Sequence, residues 1–242
     1  MKAVKIISVY FGPRRNMNNN LLTSEQVIEF LKLQIENEKI VDPGCEMDVF
    51  IVNNNVNNVE GNSYLDTLYD TPIYNGKIKI AARDNIGGSF GAFSDCYNFI
   101  KNNYDFFLFN EDDIMITEPN YFFRAIEMLE SDETIGFVAF SPISKDKPYH
   151  CGGGFGVTSN RILNMVEGVY GYLPYIRENA YFAFEQSEVK FTNSIHELGY
   201  SIVNIPEYSP LASNYEKHTS QNKEDYVTSE NLNKPFIYKV GF

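Results

Sequence analysis

Cysteine is scarce in this sequence, and its spacing excludes two kinds of structural cross-link. Cys45, Cys96 and Cys151 are the only cysteines, and no two of them form a CxxC pair. An odd number of widely separated thiols supports neither a disulfide framework nor a thiolate zinc site. We therefore expect reduced thiols in or near the core. Tryptophan is absent, so 17 Tyr and 19 Phe supply the aromatic rings.

Positive charge and long apolar runs are scarce as well. The chain has 20 Lys and Arg against 32 Asp and Glu, a formal net charge of -12. It has no basic patch for a polyanion, so a nucleic-acid partner is not expected. No apolar run approaches the roughly 20 residues that cross a bilayer, and residues 1–8 resemble a strand more than a signal peptide. These absences predict a soluble cytoplasmic protein, with peripheral membrane contact left open.

The sequence alternates between strand and helix patterns. Its hydrophobic content of 43% over 242 residues is enough for a large core. Strands are predicted at 4–10, 47–52, 77–82, 106–109, 135–140 and 201–205. Helices are predicted at 23–35, 93–100, 159–166 and 185–198, with a further helix opened by Thr117-Glu118-Pro119. Residues 53–61 are expected to be loop-like and 64–75 irregular or weakly helical.

This alternation predicts an α/β fold with parallel crossover connections. We expect one domain over 1–205. The polar composition of 206–242 indicates an extension that wraps the same domain.

Consecutive carboxylates at Glu111, Asp112 and Asp113 follow the strand predicted at 106–109. That strand is almost continuously apolar, as in a parallel strand covered on both faces, so the acids lie at its carboxyl end. Open α/β sheets bind ligands at this edge. Carboxylates this close repel one another unless they face water or a cation, and Mg²⁺ or Mn²⁺ suits such an oxygen-only cluster. The alternative is a solvated acidic turn.

Motifs at four places, short individually, lie in a defined order along the chain. They are Arg-Asp-Asn-Ile-Gly-Gly at 83–88, Asn-Glu-Asp-Asp-Ile at 110–114, Gly-Gly-Gly-Phe-Gly at 152–156 and Phe-Glu-Gln-Ser-Glu-Val at 184–189. Their order and spacing resemble the GT-A fold glycosyltransferases, particularly family 2, over roughly 4–205. The resemblance implies a Rossmann-like, mixed but mainly parallel sheet flanked by helices. It also implies sugar transfer from a nucleoside-diphosphate sugar, with a UDP-sugar favoured, to a hydroxyl of a glycan or glycoconjugate.

The resemblance further implies a metal site and a donor site. Residues 111–113 look like the family's DxD motif, and His218 lies where many of its members carry a metal-binding histidine. Asp113, Glu111 and His218 would then hold Mn²⁺ or Mg²⁺. The nucleotide-sugar-binding residues would be Tyr10, Phe11, Asn53, Arg83, Asn85, Gly88, Glu111, Asp112, Gly153 and Gly154.

Purely structural interpretations of these residues remain open. Tyr10 and Phe11 would be core residues, and Asn53 would form a turn where the family often has an acid. The glycines at 87–88 would form a plain turn between strand and helix. Arg83 would hold either a phosphate or an acidic side chain.

Glu185 and Glu188 are the candidate general bases. They lie three residues apart at a predicted helix start, on one side of the helix, where the dipole favours their ionised forms. In inverting members of the family, a carboxylate here takes the proton from the acceptor hydroxyl. The usual pattern there is Glu-Asp, whereas this chain has Glu185-Gln186. Glu185 is the first choice, Glu188 the second, and inversion is favoured.

Two other functions are compatible with the sequence. A nucleotidyltransferase would share the sheet and the acidic metal site, but it usually has a basic glycine-rich loop after the first strand. Here that loop is Gly12-Pro13-Arg14-Arg15, with one glycine. A non-catalytic nucleotide- or glycan-binding protein of the same fold would bind without turnover.

Overall fold

The chain is built on one eight-stranded sheet. A computed structural model describes residues 1–15, 21–140, 143–144, 150–151, 154–173, 187–205 and 237–239. The strands in chain order are β1 (Ala3–Val9), β2 (Arg14–Arg15), β3 (Leu21–Leu22), β4 (Met47–Asn53), β5 (Pro72–Ile73), β6 (Gly76–Ala82), β7 (Phe106–Glu111), β8 (Ile114–Ile116), β9 (Ile135–Ala139), β10 (Ile143–Ser144), β11 (His150–Cys151), β12 (Gly156–Ser159), β13 (Ser201–Asn204) and β14 (Ile237–Lys239). The helices are α1 (Ser24–Ile40), α2 (Val59–Leu68), α3 (Gly88–Ile100), α4 (Tyr121–Ser131), α5 (Asn160–Tyr170) and α6 (Glu188–Glu197).

The sheet is mixed but mainly parallel, as predicted. Its strand order is β13-β9-β12-β7-β1-β4-β6-β5. The central strand β1 is parallel to both β4 and β7, and β6 is parallel to β4. Only β12 and the edge strand β5 run against their neighbours in this sheet. This is the α/β architecture that the sequence predicts.

Helices cover both faces of the sheet and divide the core into two layers. Alternate side chains of β1 enter the two layers, because successive residues of a strand point to opposite faces. Ala3, Ile7 and Val9 pack with α1, α2 and α4, whereas Val4 and Ile6 pack with α3, α5 and α6. The side chains of Phe106 to Phe109 are buried, which confirms the prediction of a strand covered on both faces.

Lys5 is the exception in this pattern, because it is a charged residue at the centre of β1. Its side chain is fully buried and its Nζ lies 2.5 Å from Oε1 of Glu38 on α1. Tyr121 of α4 donates to the other oxygen of Glu38 at 3.3 Å. The ion pair therefore joins the sheet to two helices through the first core layer.

The structure corrects two helix predictions and extends a third. Residues 59–68 form a regular helix, whereas 53–61 were expected to be loop-like and 64–75 irregular or weakly helical. Asn58 caps this helix by accepting from the Gly61 N–H at 2.7 Å. The helix predicted to open at 117–119 begins at Tyr121, with its early amides donating to Asp42 and Pro43 carbonyls. The Thr23 capping box is confirmed, but α1 continues to Ile40.

The extra length of α1 comes from buried polar residues. Gln34, Asn37 and Glu38 all face inward, at 2% exposure or less. Asn37 and Glu38 lie beyond the predicted end at residue 35. Like Gln34, they bind backbone carbonyls or Lys5 instead of packing against apolar groups. The buried face of this helix is therefore longer than its hydrophobic pattern.

The predicted state of the cysteines is confirmed. Cys45, Cys96 and Cys151 form no disulfide and are all buried. Burial, followed by the charge of Asp42, raises the pKa of Cys45 to about 11.

Within the described residues, no helix is both long and apolar enough to cross a membrane. The three residues of β14 pair with β8, and the proposed division into 1–205 and 206–242 stays a prediction.

Replacing Lys5 with Ala tests the buried ion pair. Glu38 would then lose its counterion in a dry environment, and we expect the free energy of unfolding to fall by about 3 to 5 kcal/mol. Urea denaturation followed by circular dichroism measures this loss. The exposed pair of Lys32 with Glu29 provides the control, because Lys32→Ala should leave stability unchanged. Equal effects of the two substitutions would contradict the assigned role of Lys5.

Candidate functional site

The register of the parallel strands brings their carboxyl ends to one edge of the sheet. Ser8 of β1 lies opposite Glu111 of β7, and Val9 lies opposite Asn53 of β4. Asn53 in turn lies opposite Ala82, the last residue of β6. The segments that follow these four strands therefore meet at the same place. This is the edge at which the sequence predicts ligand binding.

A cleft of about 410 Å³ opens at this edge. Its lining includes five residues that the sequence predicted for the site, namely Tyr10, Asn85, Gly88, Glu111 and Glu188. It also includes four that sequence reasoning did not assign, namely Ser8, Arg14, Asn54 and Ser89. The position of Arg14 directly after the first strand is the one sequence signal that pointed to any of these four.

The acidic turn between β7 and β8 is held from below by α1. The side-chain amide of Gln34 donates to the carbonyls of Glu111 and Ile114, at 2.9 and 2.7 Å. Asn110 donates to the Ile114 carbonyl at 2.9 Å. Both ends of the turn are therefore fixed by buried amide groups, so the positions of the acids are set by α1 and β7.

The three acids of this turn have different surroundings. Glu111 accepts a hydrogen bond from Ser89 Oγ at 2.6 Å and faces the cleft. Asp112 is 1% exposed and lies 2.6 Å from Nη2 of Arg14. Burial raises the pKa of Asp112, and the Arg14 charge opposes this rise only in part. Asp113 is half-buried in the same turn. Asp112 thus forms an ion pair within the protein, and its contact with the donor stays a prediction.

The glycine turn at 87–88 forms the start of α3. Gly87 and Gly88 have φ values of 76° and 56°, in the left-handed region that favours glycine. No side chain caps the helix, and a helix start of this kind presents amide groups and a partial positive charge. Next to it, the buried Asn85 Oδ1 finds no hydrogen-bond partner among the described residues. The predicted close approach to a ligand is compatible with this geometry.

Arg83 takes the second of its two predicted roles, which is to hold an acid. Its guanidinium binds Asp95 at 2.7 Å, the Asn54 side chain at 2.7 Å and the Ile86 carbonyl at 2.7 Å. Asn54 also donates to Ser8 Oγ at 2.8 Å. Arg83 therefore ties the glycine turn to α3 and to the floor of the cleft, and its contact with the donor stays a prediction.

Phe11 and Asn53 also lie outside the cleft. Phe11 is fully buried against Gly61 of α2, where any Cβ would overlap its ring. Asn53 is 1% exposed; it donates to Asn62 at 2.7 Å and accepts from the Asn55 N–H at 2.8 Å. Phe11 is a core residue and Asn53 forms a turn, as in their purely structural interpretation, and their contact with a nucleoside stays a prediction.

Of the remaining predicted site residues, the structure describes Gly154 and Glu188. Gly154 has φ of 60°, and a Cβ there would lie 2.6 Å from the ring of Phe90 at the start of α3. Gly153, Glu185 and His218 fall outside the described residues, and their roles stay predictions. Glu188 is the first residue of α6 and reaches the cleft.

The acidic turn carries carboxylate oxygens, the kind of ligand that Mg²⁺ and Mn²⁺ prefer. Within the described ranges, no group of three His, Cys, Asp or Glu side chains could hold a metal. Asp112 is engaged by Arg14, and Glu111 and Asp113 are the other two carboxylates of the turn. Mg²⁺ commonly binds to one or two carboxylates and takes its other ligands from water and phosphates. Such a set suits an ion that arrives with a diphosphate.

A second cavity, of about 710 Å³, lies at the opposite edge of the sheet. Phe106 at the start of β7, Ile135 at the start of β9 and Ser159 at the end of β12 line it. It contains none of the predicted site residues. Size alone therefore does not identify the functional site.

Comparison with known proteins supports the fold. No family model and no curated protein matches the sequence. Among solved structures, the chain is similar to the mannosyltransferase PcManGT from Pyrobaculum calidifontis, determined in complex with GDP-Man and Mn2+. The identity is 12% and the TM-score 0.56, over 85% of this chain and 55% of that one. This likeness confirms the predicted GT-A-like fold, and the chain spans about half the length of the mannosyltransferase.

Other matches are weaker. TarS 1-349 from S. aureus is 13% identical with a TM-score of 0.49, over 85% of this chain and 58% of that one. HddC from Yersinia pseudotuberculosis, complexed with GMP-PN, is 15% identical with a TM-score of 0.46, over 89% of this chain and all of its own.

Replacing Arg83 with Met tests whether this residue is a structural clamp. Three hydrogen bonds would be lost, and we expect the free energy of unfolding to fall by about 2 to 4 kcal/mol. Chemical denaturation measures the change. Asp95→Asn is the control, because Asp95 is 46% exposed and its loss should cost much less. Unchanged stability of Arg83→Met, together with lost nucleotide binding, would return Arg83 to the donor site.

Proposed function

We propose that this chain is a glycosyltransferase that moves a sugar from a nucleoside-diphosphate sugar to a hydroxyl of a glycan or glycoconjugate. One observation carries the proposal. Glu111 at the end of β7 and Glu188 at the start of α6 line the same cleft, which also contains Tyr10, Asn85 and Gly88. The cleft thus combines a carboxylate suited to a metal, a second carboxylate suited to proton transfer and an aromatic ring suited to a base.

The donor would lie along the carboxyl edge of the sheet. Tyr10 offers a ring for the nucleobase. The start of α3, with Gly88 and Ser89 in the cleft lining, suits the negative charge of a diphosphate. Asn85 supplies a buried acceptor for a donor hydroxyl. The mannosyltransferase of similar fold binds GDP-Man, so both GDP- and UDP-sugars are candidate donors.

A divalent cation would complete this site. The cleft lining carries Arg14 together with Glu111 and Glu188, in a chain of net charge -12. A diphosphate entering it needs positive charge beyond that of Arg14. Glu111 and Asp113 would hold Mn²⁺ or Mg²⁺, with His218 as a further proposed ligand. Such an ion neutralises phosphate charge and stabilises the leaving nucleoside diphosphate.

Glu188 is the base that the geometry supports. It lies in the first turn of α6, where the helix dipole favours a carboxylate. It would accept the acceptor's hydroxyl proton as that oxygen attacks the anomeric carbon and the bond to the diphosphate breaks. Direct attack of this kind inverts the configuration at the anomeric carbon. Glu185, the first choice from the sequence, lies outside the described residues and stays a candidate for this step.

Nucleotidyl transfer is the second candidate function, and the presence of Arg14 in the cleft favours it. A basic residue after the first strand is a feature that such enzymes use. Their nucleophile is a sugar phosphate, which is already ionised and has no proton to give to Glu188. The two reactions release different products, a nucleoside diphosphate or pyrophosphate, so one assay distinguishes them.

A panel of UDP- and GDP-sugars with Mn²⁺ tests the proposed reaction. We expect release of one nucleoside diphosphate, which a coupled assay measures, and no pyrophosphate from nucleoside triphosphates with sugar 1-phosphates. Glu111→Gln should lower turnover at least about a hundredfold, because it weakens the cation site. Glu118→Gln is the control, since Glu118 pairs with Arg124 away from the cleft. Pyrophosphate release would establish the second candidate instead.

Glu188→Gln separates proton transfer from donor binding. We expect kcat to fall about 10² to 10⁴-fold, because the amide cannot accept the proton, while the Kd of the donor stays unchanged. Glu197→Gln at the far end of α6 is the matched control. If Glu185→Gln abolishes turnover and Glu188→Gln does not, the base is Glu185.

A further inference from the structure

We infer that Arg14 is the phosphate-binding cation of the cleft, and that Asp112 is the buried carboxylate that positions it. This inference rests on the proposed function, since it takes a nucleoside diphosphate as the ligand. It gives Asp112 a role different from that of Glu111 and Asp113. It also adds to the site a residue that none of the sequence motifs contains.

The side chains of Arg14 and Asp112 are in close contact, but they differ in their exposure to solvent. Nη2 of Arg14 lies 2.6 Å from Oδ1 of Asp112. The Arg14 side chain keeps 29% of its surface exposed, whereas that of Asp112 keeps 2%. The exposed part of Arg14 lines the cleft. The pair therefore has a buried end in the protein and an accessible end where a ligand would lie.

Asp112 is bound from two directions. Its Oδ1 faces Arg14, and its Oδ2 lies 3.4 Å from the backbone nitrogen of Tyr10. Both partners belong to the segment that follows β1. A carboxylate buried in this way holds the segment after β1 against the end of β7. It is absent from the lining of the cleft, so contact with a ligand passes through Arg14.

The guanidinium can serve both partners at once. It carries five N–H donors in a planar fork, and the bond to Asp112 uses one terminal nitrogen. Arginine binds phosphate oxygens in pairs, with more directional contact than lysine gives. An arginine already fixed by a buried acid loses little side-chain freedom when a phosphate arrives. The ion pair thus prepares Arg14 for an anion.

The charge of the surroundings supports this role. Arg14 is the one Lys or Arg among the described residues that line the cleft. Burial by itself would lower the pKa of Arg14, but the charges of Asp112, Asp113 and Glu111 raise it above its usual value. The guanidinium is therefore charged at every working pH. In an acidic protein, the fixed charge of Arg14 would attract a diphosphate to the cleft even when no metal ion is bound.

Binding measured in EDTA tests Arg14 apart from any metal. Isothermal titration would use UDP, GDP and inorganic pyrophosphate as ligands, with uridine and guanosine for comparison. For Arg14→Gln we expect about ten- to a hundredfold weaker binding of the phosphate-bearing ligands, from loss of charge-assisted hydrogen bonds. Nucleoside binding should not change. Arg14→Lys should lose less, since it keeps the charge but not the fork.

Two further variants control for unfolding and for the general loss of an arginine. Arg14→Gln alone leaves Asp112 buried without its cation and could unfold the chain, so Arg14→Gln with Asp112→Asn removes both charges. This double variant should show the same loss of phosphate affinity. Arg161→Gln is the matched control, because Arg161 is exposed and lines the opposite cavity. It should bind all ligands as the unmodified chain does.

The outcomes separate this inference from the proposed function. If the folded double variant binds UDP or GDP as tightly as the unmodified chain, Arg14 is only the structural partner of Asp112, and the proposed function stands. If pyrophosphate binds through Arg14 but no nucleoside diphosphate binds, even with Mn²⁺, the role of Arg14 stands and the proposed function fails. If the unmodified chain binds these ligands only when Mn²⁺ is present, the role of Arg14 fails and the proposed function stands. If it binds none of them even with Mn²⁺, both are overturned.

Discussion

The parallel pairing of β1 with β4 and β7 is the constraint on which the site depends. Because Ser8 is opposite Glu111 and Val9 is opposite Asn53, the chain leaves these strands at one level. Tyr10, Asn54 and Asp112 follow directly. A shift of one residue in this register would turn every core side chain to the opposite face. The two apolar layers that fix the register therefore also fix the spacing of the polar cleft.

The sequence predicted the fold well because its strongest signals are apolar. The runs that form β1, β4 and β7 are buried on both faces, and the patterns of α3 and α5 match their buried sides. The sequence predicted less of the structure in segments whose buried side chains are polar. The second half of α1 faces inward with Gln34, Asn37 and Glu38, and α2 depends on an Asn cap and on a glycine that admits Phe11. Residue type alone does not show that a polar side chain has a buried partner.

The sequence predicted where the candidate site lies, but it did not predict which arginine pairs with which acidic side chain. Carboxylates after a buried strand and a glycine turn before a helix identified the edge, and Glu111, Asn85 and Gly88 do line the cleft. The sequence could not show that Arg83 turns to Asp95, 12 residues away, or that Arg14 turns to Asp112, 98 residues away, because which acid an arginine meets depends on the packing of the folded chain. Arg83 of the predicted motif holds Asp95, whereas Arg14, which lies outside the motif, lines the cleft.

The pairing of β14 with β8 has a consequence for the order in which the site is built. β8 directly follows the acidic turn, and its antiparallel partner comes from residues 237–239. Closing such a long loop is slow compared with local contacts. During synthesis, β1, β4 and β7 can be complete while the ribosome has yet to supply β14. The ladder beside the acids is therefore the last part of this edge to be assembled.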